Sequence, residues 1–296
     1  MQTKVANKST AVFQKLEDYK LLVKFKLNLL VVFSAVMAYL IAATGTTNWL
    51  AVFCLGLGGF LVTGAANALN QVLERNFDKD MKRTENRPLA TGRMTVSEAV
   101  MAAGFMSLVG ITILALFNPW TAFLGTISMM IYAFIYTPMK RVSNVAVLIG
   151  AIPGALPTMI GCVAIQGELT ALALVLFAIQ FMWQFPHFWA IAWVGYDDYA
   201  NAGFYLLPSK DGARDKNAGL QSLFYALPLI PLGMMPYLMG VTGLVSAILL
   251  SLLAIAYAYF AWDLYKKCTK EAALRLMFSS FVYLPMALIV LLADKI

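Results

Sequence analysis

Asn70-Gln71-Val72-Leu73-Glu74-Arg75-Asn76-Phe77-Asp78-Lys79-Asp80-Met81-Lys82-Arg83-Thr84-Glu85-Asn86-Arg87-Pro88-Leu89 begins inside an apolar run and ends in a dense run of charge. On a helix advancing about 100° per residue, Asn70, Glu74 and Asp78 fall at about 0°, 40° and 80°, with Asn67 near about 60°. The four side chains are therefore expected on one face. Carboxylates one turn apart repel by roughly 0.2–0.5 kcal/mol in water, and by more at a membrane boundary. Stacking them there points to a divalent cation, with Mg²⁺ the natural choice beside phosphate oxygens. Arg83 and Arg87 follow at i, i+4, and Pro88 is expected to stop a helix after Arg87. Arginine forks match phosphate geometry. A metal and a polyanion at the mouth of an apolar bundle imply an isoprenoid diphosphate.

Working outward, the chain has 296 residues, 61% of them apolar and 12% charged. Runs of about 20 apolar residues mark membrane-spanning helices. Nine are expected, at about 23–43, 50–72, 97–117, 121–137, 145–165, 170–193, 219–238, 241–262 and 274–293. The fold class is thus an all-α membrane protein, with residues 1–22 a cytoplasmic tail and 23–296 one transmembrane domain. Under this scheme 21 of the 22 Lys and Arg residues fall on one side, and only Lys295 falls opposite. The positive-inside rule then places the N-terminus in the cytoplasm and the C-terminus outside. The net charge of +7 reads as a topology signal reinforced by anionic membrane lipid, not as a nucleic-acid surface, because no long soluble basic domain exists. Three scattered cysteines suggest neither a disulfide framework nor a metal cluster. The tail lacks Arg and contains Glu17 and Asp18, unlike a mitochondrial transit peptide. A cleaved signal peptide is not expected either, since the first apolar run begins late and has spanning length.

The two long cytoplasmic connections, about 74–96 and 194–218, follow even-numbered spans and carry acids near their starts. They read as two half-sites facing each other. In the second, Asp197 and Asn201 are spaced i, i+4 and Asp198 is adjacent, a set that could complete the first metal site or hold a second ion; the plainer reading is solvated loop acids. Tyr136-Thr137-Pro138-Met139-Lys140-Arg141 closes the fourth run. It reads equally as an interfacial anchor or as a second clamp on the diphosphate. The fifth run carries Gly150, Pro153, Gly154, Pro157 and Gly161. Small residues at i, i+4 allow close packing, or leave room for a bulky ligand. In the sixth, Gln180, Gln184 and His187 form a narrow polar stripe beside Trp183 on an aromatic helix. His187 is the only histidine. Polar side chains within a membrane face the bundle interior or a cavity. The imidazole is a packing residue, or else it ligates haem iron, orients a water or moves a proton.

These residues resemble the UbiA superfamily of intramembrane prenyltransferases. Asn70-x-x-x-Glu74-x-x-x-Asp78, then Met81-x-Arg83-Thr84-x-x-Arg87-Pro88-Leu89, Tyr136-Thr137-Pro138-x-Lys140-Arg141 and Pro153-Gly154-Ala155 with Pro157 are similar to its motifs. Glu74, Trp183-Gln184-x-Pro186-His187-Phe188-Trp189 and Asp198-Tyr199-x-x-Ala202-Gly203-x-x-Leu206-Leu207-Pro208 resemble its haem-modifying branch. The resemblance runs from about residue 20 to the end. One departure is Asn201, which stands where other members carry a second carboxylate.

The resemblance implies nine transmembrane helices bundled around a central cavity, in a bacterial inner membrane, with the active site facing the cytoplasm. It implies Mg²⁺-dependent transfer of a farnesyl group from farnesyl diphosphate to a vinyl group of haem b, with addition of water. Asn70, Glu74, Asp78, Asp197 and Asp198 would hold metal. Arg83, Arg87, Lys140, Arg141 and Tyr136 would bind diphosphate, and His187, Gln184 and Trp183 would meet the acceptor, with His187 and Asp198 also placed in the catalytic set. It leaves room for handover of product to a downstream haem-modifying membrane enzyme. Two other readings stand beside it: a relative acting on an aromatic or quinone-precursor acceptor, and a cation-coupled transporter. Transporters place charged sites near the midplane, whereas nearly all acids here cluster at one face.

Overall fold

The structure, a computed structural model, describes residues 2–204, 206–207, 209–210 and 213–296, with side chains from Val12 onward except 208–213. Pro208 of the second loop's motif therefore lies outside the described residues. Among those residues nine helices are long and apolar enough to cross a membrane: Phe25–Ala42, Trp49–Glu74, Val96–Ala115, Pro119–Met139, Ala146–Gln166, Ala171–Val194, Asn217–Leu238, Leu244–Lys267 and Lys270–Ala293. They are numbered here as spans one to nine. Asn48, Thr95, Asn118, Thr170 and Thr269 cap five of them by accepting from the backbone N–H three residues on, which satisfies donors that a helix start leaves free.

Span five is the central helix, with 72% of its apolar window buried against 22–44% for the others. It packs on spans one, four and six; span six packs on nine, nine on eight, and eight on seven. Its small residues explain the position. A Cβ at Gly161 would collide with the carbonyl of Ala35 on span one, and one at Gly150 with the Tyr136 ring. Pro157 has no N–H, so the carbonyl of Pro153 loses its helical donor. Ser128 on span four supplies a hydroxyl instead, at 3.2 Å. Both readings of this run hold, because Gly150, Pro153, Gly154 and Pro157 also line the cavity described below.

Two local expectations are corrected. The second span ends at Glu74, and Asp78 begins a short 3₁₀ turn, Asp78–Asp80, so the three motif residues do not share one continuous helical face. Residues 82–92 form successive turns, so Arg83 and Arg87 are not helical neighbours and Pro88 stops no helix. The N-terminal tail is a helix, Gln2–Leu22. Its Asp18 and Lys15 reach Arg93 and Glu98 at the start of span three, at 2.9 and 2.7 Å. One minimal antiparallel pairing, Ser209–Lys210 with Ala213–Arg214, lies in the second long loop.

Candidate active site

Span two delivers its polar side chains to the joint between the N-terminal helix and span one. Gln71 Nε2 donates to the carbonyls of Leu21 and Leu22 at 2.8 and 2.9 Å, and Asn67 Nδ2 to that of Val23 at 3.2 Å. The Leu22 and Val23 bonds satisfy carbonyls at the end of the helix, and the Leu21 carbonyl accepts from the Lys24 N–H as well, at 3.2 Å. They also hold the next residue, Lys24, in the left-handed region at φ 49°. A non-glycine residue there is uncommon and persists only where its surroundings fix it. The consequence is that Lys24 Nζ reaches Asn70 Oδ1 at 2.8 Å and the Tyr132 hydroxyl at 3.3 Å.

Span four meets the same place through an irregular stretch. Residues Ile131–Tyr136 form a π-helical turn, a feature frequent at functional sites. Pro138 cannot donate to the carbonyl of Phe134, and its ring would crowd that oxygen in a regular helix; the wider turn removes the clash. Thr137 Oγ1 then accepts from Asn70 Nδ2 at 3.0 Å. Lys140, one turn later, forms an ion pair with Glu74, its amine 4.9 Å from the Tyr136 ring centre. The first long loop returns Arg87, whose Nη1 donates to both oxygens of Asp78 at 2.8 and 2.9 Å. Thr84 Oγ1 fixes the Asp78 carbonyl at 2.9 Å.

Each motif side chain thus meets one basic group: Asn70 meets Lys24, Glu74 meets Lys140 and Asp78 meets Arg87. The groups lie in one another's fields. Burial pushes the Asp78 carboxyl above its ordinary value, opposed by the Arg87 charge and hydrogen bond and reinforced by Glu74. Burial and the charges of Arg87 and Lys140 hold the Lys24 amine well below the ordinary lysine range. Burial also lowers Lys140, with Glu74 opposing. An Arg83 Nη2 bond to the Tyr199 hydroxyl, at 3.4 Å, joins the two long loops, as does a small apolar cluster of Met81, Ala202 and Phe204.

Other expected residues stand apart. The Asp197 side chain is 83% exposed and pairs with Arg214 at 3.1 Å. Asp198 is half-buried on the short helix Tyr196–Asn201. Arg141 is exposed and lies over the Phe77 ring, 3.9 Å from its centre. Among the described residues no three His, Cys, Asp or Glu side chains gather in a metal-binding group. Lys24 and Thr137, in turn, were missed as site residues. A lysine beside an apolar run reads as a topology charge, and only the left-handed bend turns it inward.

Beside the cluster lies an open-mouthed, largely apolar cavity. Asn67, Tyr132 and Tyr136 line one part; Gln180, Trp183, Gln184 and His187 line another. Gln180 Nε2 donates to the carbonyl of Gly154 at 2.9 Å, and Gln184 Nε2 to that of Ala151 at 3.1 Å. The expected polar stripe is therefore partly structural: its glutamines fasten span six to span five.

The UbiA prenyltransferase family model matches residues 31–284. A protoheme IX farnesyltransferase of Cytophaga hutchinsonii is 47% identical, over 95% of this chain and 98% of the relative. Another, of Christiangramia forsetii, is 43% identical over 99% and 97%. Among solved structures, a digeranylgeranylglyceryl phosphate synthase aligns with a TM-score of 0.79 at 19% identity, covering 95% of this chain and 98% of that one. A UbiA homolog from Archaeoglobus fulgidus bound to GPP and Mg²⁺ aligns at 0.66 with 16% identity, covering 93% and 99%. The shared fold, the match across most of the sequence and the multi-pass helices agree that this chain belongs to the UbiA prenyltransferase family.

Proposed function

We propose that the chain is a haem O synthase: it moves the farnesyl group of farnesyl diphosphate to a vinyl group of haem b and adds water, releasing diphosphate. The observation that carries this reading is one cavity lined both by His187 and by Tyr132 and Tyr136, the tyrosines that adjoin Lys24 and Lys140 of the acid–base cluster. The names of the relatives support the same substrates.

The donor's diphosphate would lie at the cluster. Glu74, Asp78 and the Asn70 amide are hard oxygen donors in one another's fields, a set that suits Mg²⁺ with phosphate oxygens completing its shell. The fit rests on these oxygens converging in one buried place, each beside a basic group that would also face the phosphate. Mg²⁺, when bound, neutralises charge on the diphosphate. Lys140, Arg87 and Arg83 stabilise the charge that grows on the leaving diphosphate as its C–O bond breaks. Tyr136 and Tyr132 present ring faces to the cavity beside the allylic carbons, where a cation is favoured. The vinyl carbon attacks that cation, the new cation beside the pyrrole takes up water, and a proton leaves. No protein nucleophile is required. Gln184, Trp183 and His187 line the acceptor's part of the cavity. Asp198 stands on the second loop as a supporting acid, joined to the cluster through neighbouring Tyr199 and Arg83. The basic loops favour a cytoplasmic N-terminus and active site in a bacterial inner membrane.

The test is release of pyrophosphate by the purified protein given Mg²⁺, farnesyl diphosphate and haem b. A farnesylated, hydrated haem by mass spectrometry is the expected product, absent when haem is withheld. Prenylation of an aromatic acid or phenol in place of haem overturns the acceptor assignment.

A further inference from the structure

Spans six and nine meet at His187 and Ser280. His187 Nδ1 lies 2.7 Å from Ser280 Oγ. The same Oγ lies 2.5 Å from the carbonyl oxygen of Met277, one turn earlier on span nine. A hydroxyl carries one proton, and a carbonyl oxygen only accepts. Two oxygens this close repel unless the proton lies between them, so Ser280 donates to Met277. A lone pair on that oxygen then faces the imidazole, and Nδ1 supplies the hydrogen. The ring's aromatic neighbours are Trp183, Phe188 and Phe281, and no ion pair of His187 with a carboxylate occurs among the described residues. An unpaired imidazolium in that setting is costly, so the ring is neutral and Nε2 holds a bare lone pair. Among the described residues Nε2 has no hydrogen-bond partner, and the ring lines the cavity.

The surroundings fix the ring plane. Trp183 stacks on it at 4.8 Å between centres, 18° from parallel. Trp183 is itself held by its Nε1 bond to the Ser280 carbonyl at 2.9 Å, and its carbonyl accepts from the Tyr257 hydroxyl at 3.1 Å. Side chains of spans six, eight and nine thus hold an imidazole in one tautomer with its basic nitrogen free. Packing alone requires no such arrangement. It is the arrangement of a metal-binding histidine, whose second nitrogen donates to an oxygen and so raises the basicity of the first.

We propose that His187 Nε2 is the axial ligand to the iron of the porphyrin acceptor, and that Ser280 is the positioning residue that sets its tautomer. This rests on the haem reading of the cavity. His187 lies seven residues inside the cytoplasmic end of span six, about 10 Å along a helix. Ligation pins the iron at that depth and restricts which edge of the macrocycle turns toward the diphosphate.

The test titrates purified full-length protein with ferrous protohaem and, separately, with metal-free protoporphyrin IX. The wild type is expected to give the spectrum of five-coordinate, single-imidazole iron. His187→Ala should weaken protohaem binding by about tenfold or more, leave protoporphyrin binding unchanged, and regain the spectrum with added imidazole. Ser280→Ala should keep protohaem but lower the iron–imidazole stretching frequency in resonance Raman, and Ser280→Thr should restore it. Equal weakening of both porphyrins in His187→Ala, or an unmoved stretch in Ser280→Ala, overturns the ligand assignment while haem farnesylation stands. A wild type that prenylates an aromatic acid and binds no protohaem overturns both. The Ser280 variants keep the test decisive if His187→Ala does not fold, and pyrophosphate binding checks that each variant is intact.

Discussion

The two long loops carry similar acids in opposite circumstances. In the first, Asp78 is fully buried, takes two bonds from Arg87 and is clamped at its carbonyl by Thr84. In the second, Asp197 is 83% exposed and its partner Arg214 is 37% exposed. An exposed pair contributes about 0–1 kcal/mol. Removing one member of a buried pair costs about 3–5 kcal/mol. A buried carboxylate with a fixed partner can hold its geometry against an incoming ligand, whereas an exposed one must be gathered by it. On the proposed function the first loop is therefore a preorganised half-site. The second joins it chiefly through Tyr199, Met81 and Phe204, not through its acids.

The contrast is broken or sharpened by four substitutions. Asp78→Asn should reduce turnover by about 10²–10³-fold and lower the melting temperature, because Arg87 loses its charged partner; pyrophosphate release and a circular-dichroism melt read the two effects. Next in size is Lys24→Met, which should raise KM for the prenyl diphosphate about tenfold, the scale of one hydrogen bond to a charged group, with the helical spectrum kept. Tyr199→Phe removes one long bond between the loops and should change KM by about threefold at most. The smallest change is expected from Asp197→Asn, less than about threefold in kcat/KM and less than about 1 kcal/mol in stability. Loss of turnover in Asp197→Asn as deep as in Asp78→Asn would show that the exposed acid is an equal partner, and the distinction between the loops would fail.

Much of this was legible in the chain. All nine expected apolar runs correspond to helices of spanning length, with ends that shift by a few residues. The candidate residues Asn70, Glu74, Asp78, Arg87 and Lys140 do converge. What failed was extrapolation of helical period beyond Glu74. Asn76 and the charges after it favour turns, and Arg87 and Thr84 draw Asp78 into a 3₁₀ turn that no periodicity predicts. Lys24 was invisible for a related reason. Its side chain is aimed by a left-handed backbone that Asn67 and Gln71 stabilise through bonds spanning 44–50 positions. Gln184 reads as a ligand contact and does line the cavity, while its amide also fastens two spans, which no spacing shows.

The sequence by itself determined the spans, the lopsided basic charge and the cast of acids, bases and one histidine. Lipid solvation and charge at a membrane face act on each segment separately, so composition is enough to read them. Which acid meets which base, and which nitrogen of His187 is free, only the tertiary structure decided. Those outcomes depend on contacts such as Asn70 with Thr137 and His187 with Ser280, 67 and 93 residues apart, where angstrom-scale placement of helices selects the partner.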